Sequence, residues 1–127
     1  MPDILPSPRC FKLVGRRAVQ CESVMEWSAW FATADLRVAG TWVDDVRIST
    51  VFLGIDHNPF SEGDPALFET MVFVDGEEST VRRCFIWEEA EAGHEEMVAL
   101  VHAEMERAKV RAGAAWDTLR QRLLDQV

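Results

Sequence analysis

The chain has 127 residues, 48% of them apolar, with five tryptophans and seven phenylalanines. That is the length and make-up of one folded domain, and it excludes a disordered segment. A formal net charge of −9 repels phosphate backbones, so direct nucleic-acid binding is not expected, whereas a basic surface on a partner would suit it. The opening MPDILPSPRC has three prolines and no apolar signal core, and reads as a flexible arm over residues 1–10. FKLVGRRAVQ, residues 11–20, alternates around Gly15-Arg16 and predicts a hairpin. Ser23 followed by Glu26 is a capping box. Val24, Trp27, Phe31 and Ala34 then recur at helical spacing, with Trp30 widening the apolar face, which predicts a helix over residues 24–35.

RVAGTWV, residues 37–43, predicts a strand and Asp44-Asp45 a turn. VRISTVFLGID predicts the longest strand, with Val46 and Ile48 facing away from Arg47 and Ser49. From Val51 to Ile55 apolar residues fall on both faces, as in a central strand covered on two sides. HNPFSEGDP is loop chemistry, ALFETMVFV the partner strand, DGEES a turn and TVRRCFIW a last strand. From Trp87 onward Ala90, His94, Met97, Val101, Met105 and Ala108 keep a helical spacing, and Trp116, Leu119 and Leu123 extend it. Glutamates at its start and arginines near its end complement the helix dipole. The expectation is an α+β fold over residues 11–108, an antiparallel sheet with one short helix and one long C-terminal helix packed on it, and a helical extension over residues 109–127.

A single helix of that length is a rod of roughly 60 Å, longer than a globule of this size can cover. Either it folds back at Gly113, or two chains bury the stripe of Trp116, Leu119 and Leu123 as a homodimer, which is the expected state. No apolar run approaches the ~20 residues that cross a bilayer, so no membrane partner is expected. Cys10, Cys21 and Cys84 have no paired spacing and are expected as inert, reduced thiols in a cytoplasm.

Three sets of residues have chemistry to offer. Asp56 and His57 with Glu69 and His94 combine imidazole and carboxylate, the groups of a general base or a metal site. No ligand spacing such as HExxH supports it, so Asp56 is read as a loop former and His94 as a core histidine beside Gly93. No catalytic residue, metal or cofactor is expected. The run EEAEAGHEE, residues 88–96, is read as a solvated helix start, because a second acidic helix to share a cation is missing. Arg47, Arg82 and Arg83 could fork onto phosphate or carboxylate, with Arg47 and one of the adjacent pair on a common sheet face. These arginines are the leading candidate site, with Asp56, His57, Glu69 and His94 as further ligand-binding candidates. The chain has no phosphate-cradling glycine loop and no nucleophile elbow.

STVFLGIDH, LFETMVF and WEEAEAGH, in that order, resemble blocks of a family of small bacteriophage and prophage accessory proteins. The resemblance spans Trp27 to Val101. A capping hydroxyl residue expected before the Trp-Glu-Glu is replaced by Phe85-Ile86, and the tail beyond Glu104 is an addition to the pattern. The resemblance implies a non-enzymatic binding protein in the cytoplasm of an infected or lysogenic bacterial host, with a counter-defence role. It would sequester a small anionic, nucleotide-like ligand. Two alternatives are an acidic inhibitor or nucleic-acid mimic that blocks a host protein, and a small metal-dependent hydrolase using His57, Glu69 and His94.

Overall fold

A computed structural model describes residues 9–58 and 63–126. Residues 1–8 of the expected flexible arm over residues 1–10 and the middle of the HNPFSEGDP loop, residues 59–62, lie outside the described residues; the arm's last two residues are instead tied to the fold, Arg9 by Asp56 and Cys10 by Ile55. The fold is α+β. A hairpin of β1 (Phe11–Val14) and β2 (Arg17–Gln20) leads into a short helix α1 (Val24–Phe31). Four strands follow, β3 (Arg37–Val43), β4 (Val46–Phe52), β5 (Phe68–Val74) and β6 (Glu77–Cys84), and the chain closes with α2 (Trp87–Asp125). The four strands form an antiparallel meander in the order β3-β4-β5-β6, the economical topology for neighbours joined by short loops. Asp75-Gly76, both with positive φ, supply the tight two-residue turn that matches strand twist between β5 and β6.

The Ser23 cap forms as its sequence predicts, with Ser23 Oγ accepting from the Glu26 amide at 3.1 Å, while the Glu26 carboxylate accepts from the Glu22 amide, one residue before the cap, at 2.9 Å. The helix it starts ends at Phe31 rather than at residue 35. Weaker turn bonds from Thr33 and Ala34 carry the chain into β3. β4 is also shorter than its apolar run. Gly54, at φ +80, turns the chain out of the sheet, where Ile55 bridges Cys10 and the Gly54 carbonyl accepts from Phe11 at 2.7 Å. Gly54 and Ile55 thus hold the N-terminal strand instead of lengthening β4, while the Leu53 amide donates to the Leu67 carbonyl at 2.7 Å.

Register puts Ile48, Thr50 and Phe52 of β4 on one face with Thr41, Val72, Thr70 and Phe68. This is the face α2 crosses. At one end it is packed by a ladder of rings. Trp30 stands edge-on to Phe52 at 5.8 Å, Phe52 lies 5.2 Å from Phe68, and Phe68 is edge-on to Trp87 at 6.1 Å. Leu67, Phe11 and Ala90 complete this core. Burying each large side chain is worth about 1.5–3 kcal/mol, so the N-terminal turns of α2 are the anchored part of the helix. The opposite face carries Trp42, Arg47, Phe73, Ser49 and Met71. The expectation that β4 is covered on two sides is corrected here: none of the described helices packs on this second face.

α2 runs unbroken through Gly113 for 39 residues, about 58 Å at 1.5 Å per residue. Lys109 reaches Asp44 at the β3–β4 turn, and every described residue from Glu106 onward is exposed. Among the described residues no helix is long and apolar enough to cross a membrane.

Candidate functional site

The residues singled out by chemistry fall in four separate places. His94 is 1% exposed and faces the sheet from the second turn of α2. Its Nδ1 lies 2.8 Å from Thr50 Oγ1 and its Nε2 lies 2.8 Å from Thr41 Oγ1. Thr50 Oγ1 is in turn 2.7 Å from Thr70 Oγ1. Both ring nitrogens are therefore occupied by hydroxyls, and burial lowers the imidazole pKa from its ordinary value, because a low dielectric disfavours the charged form. This arrangement suits a neutral structural histidine and leaves it no free nitrogen for a metal or a proton transfer.

Asp56 organises the loop after β4. One oxygen accepts from the amides of Asn58 and Ala66 at 2.8 and 2.9 Å, and the other takes Arg9 Nε at 3.1 Å. Burial pushes its pKa up, but the two amides and the Arg9 guanidinium outweigh that and hold the carboxyl below its usual range. His57 points elsewhere. Its Nδ1–H donates to the Ile55 carbonyl at 2.7 Å, and its ring borders a shallow hollow of about 400 Å³ with Arg83 and Glu89. Glu69 is 8% exposed and lies 3.9 Å from Arg83. Among the described residues no group of three His, Cys, Asp or Glu side chains could hold a metal ion.

The arginines separate. Arg82 is on the α2 face, pairing with Glu96 at 2.5 Å. Its aliphatic stem lies against Gly93, where an added Cβ would come within 2.9 Å of Arg82 Cδ. Gly93 thus admits an arginine side chain between helix and sheet. Arg47 and Arg83 share the open face. Arg47 is in register with Phe73, and Arg83 with Glu69, four residues along and two strands across. At strand spacings that is roughly 16 Å, too far for one small anion. Arg47 is the exposed member with no carboxylate partner among the described residues.

The rung that holds Arg47 has a feature that charge alone did not reveal. Trp42, Arg47, Phe73 and Glu78 are paired across β3, β4, β5 and β6. Trp42 is 66% exposed, and the Arg47 guanidinium lies 5.6 Å from the Phe73 ring centre, a cation–π distance. On the next rung Gly40, Ser49 and Met71 align, and an added Cβ at Gly40 would meet nothing within 4 Å. The result is an open strip of sheet face on which one guanidinium stands in register between Trp42 and Phe73. The sequence signal for it was the alternation that sets Arg47 opposite to Ile48. Trp42 and Phe73 joined it only through register.

The acidic run of α2 is partly spent inside the fold. Glu91 meets Arg16 at 3.5 Å and accepts from the Trp87 indole, while Glu96 holds Arg82. A comparison with family models, curated proteins and solved structures finds no match, so the chemistry of this chain rests on its own geometry.

Proposed function

We propose that the chain is a non-enzymatic binding protein whose open sheet face takes a small aromatic anion of the nucleotide class. Arg47 grips the phosphate, and Trp42 with Phe73 offers stacking surface for the base. The observation that carries this reading is the Trp42–Arg47–Phe73 rung, with its guanidinium unpaired by carboxylate among the described residues and leaning on a ring. Stacking of a base on an aromatic side chain is worth about 1–3 kcal/mol, and a hydrogen bond to a charged group about 1.5–3 kcal/mol. Ser49 on the adjoining rung adds a hydroxyl residue to the same sheet face. A counter-defence role in a bacterial host, by sequestering a nucleotide signal, is what the sequence resemblance to phage accessory proteins suggests for such a site. Hydrolysis is disfavoured by the occupied nitrogens of His94 and by the distance of His57 from it in the fold.

The same protein is proposed to work as a homodimer held by the distal part of α2. Mononucleotides and cyclic dinucleotides titrated against intrinsic tryptophan fluorescence test the ligand reading. Arg47→Ala and Trp42→Ala should each weaken binding by at least ~10-fold, whereas Arg82→Ala should leave it unchanged. A panel in which no nucleotide changes the fluorescence or the melting temperature would reject the reading.

A further inference from the structure

We infer that the groove between α2 and the β5–β6 hairpin receives the distal half of α2 from a second copy of this chain. The inference rests on the helix-held homodimer proposed above and names the surface that forms it. A helix is about 10 Å across, and four strands span about 19 Å. One α2 therefore covers about half of the face it crosses. The aromatic ladder fills one end of that face. At the other end, where α2 leaves the sheet, a groove of about 660 Å³ is walled by Val72 and Val74 of β5 and by Met97, Leu100 and Met105 of α2. Leu100 is 52% exposed there. Asp75, Glu77 and Glu104 give the groove an acidic rim.

The helix that fits this groove is α2 itself, further along. Residues 94, 97, 101, 105, 108, 112, 116, 119 and 123 follow steps of three, four and four. This eleven-residue repeat advances 3.67 residues per turn and keeps a stripe nearly straight along a helix. Its first half packs on the sheet of its own chain. Its second half leaves Trp116, Leu119 and Leu123 at 61%, 44% and 57% exposure. Charge points to the same pairing. From Arg107 to Asp125 the chain has five basic and two acidic residues, a net +3, while the remainder has eight basic and twenty acidic. Arg111 and Arg122, seven and eighteen residues beyond Glu104, share its side of the helix.

A two-fold axis normal to the sheet, beside α2 near residue 110, sets the two helices antiparallel with both apolar stripes facing the sheets. Residues 116–123 of each chain then lie along residues 97–105 of the other. The rise from Met105 to Leu123 is about 27 Å, enough for each distal half to cover the groove. A stable interface typically buries roughly 1,600 Å² in total; two tails and two grooves contribute to it, and the contact closes as an isologous pair.

Light scattering on the intact chain at micromolar concentration should give a dimer. Two charge-reversal variants locate the contact, one on the groove rim (Glu77→Arg with Glu104→Arg) and one on the tail (Arg111→Glu with Arg122→Glu). All four positions are exposed, and circular dichroism should show the fold retained. Each variant alone should dimerise at least ~10-fold more weakly. Mixed together they should recover near-native affinity as a heterodimer, since every tail then meets a groove of opposite charge. A dimer lost with Leu119→Asp but indifferent to the groove variant would keep the helix-held dimer and overturn the groove. A monomeric intact chain, including one whose groove takes up an apolar dye, would overturn both.

Discussion

At the scale of single residues, His94 shows how position rather than type fixes a role. Its two threonine partners sit 53 and 44 residues away in sequence, so spacing within the chain could present it only as a candidate. Gly93 beside it has an equally nonlocal reason, the Arg82 stem that fills the space of its missing Cβ. Because burial lowers the His94 pKa from 6.5, the unfolded chain binds a proton there at a higher pH than the folded one. The folded state therefore holds its full advantage above about pH 6.5 and loses it as the pH falls toward the depressed folded value. Urea unfolding at a series of pH values from 8 to 5 should show that decline, and His94→Leu should flatten it. An unchanged slope in His94→Leu would assign the effect to other groups. Asp56 and Arg82 are comparable cases, since the charge of each is met by a partner far along the chain, Arg9 and Glu96 respectively.

At the scale of elements, the sequence was most informative where a pattern is periodic. The capping box, the β3 strand of residues 37–43 and the start of α2 at Trp87 follow from spacing and local chemistry. Element ends were less legible. β4 stops at Phe52 because Gly54 and Ile55 are drawn to the N-terminal strand, a competition invisible to a local window. Gly113 could equally have broken α2 by its conformational freedom. The flanking alanines and arginines are strong helix formers, and the helix passes through it. An added Cβ at Gly113 meets nothing within 4 Å, and its azimuth is away from the groove-facing flank. Gly113→Ala should therefore stabilise the helix by about 1 kcal/mol. The change is read as a raised midpoint in thermal unfolding with dimerisation unaffected; a lowered midpoint would indicate that the glycine is needed for a bend.

At the scale of the whole molecule, charge is divided rather than spread: an acidic body carries a basic helical overhang. The division accounts for a net charge of −9 without making the chain self-repelling at its own groove. Ion pairs at a partly exposed rim are screened by salt, with a Debye length of about 10 Å at 0.1 M and about 3 Å at 1 M. Dimerisation should accordingly weaken as salt is raised across that range, by several-fold rather than completely, because the apolar stripe is insensitive to screening. Sedimentation measurements at the two ionic strengths test this. Strengthening with salt would mean that the apolar contact alone holds the pair.

The sequence by itself determined the α+β class, most of the strands, the long helix and its uninterrupted apolar stripe, because each depends on residues within a few positions of one another. It also set Arg47 on the face opposite Ile48, since alternation along a strand is a local property. Only the tertiary structure decided that Arg47 stands between Trp42 and Phe73 while Arg82 turns to the helix. That outcome depends on strand register and on a bulge in the β5–β6 pairing between Thr70 and Met71, which no single segment encodes. The tertiary structure likewise left half of one sheet face uncovered beside α2. The width of four paired strands against one helix is a property of the assembled layers, and it leaves the groove beside α2 open.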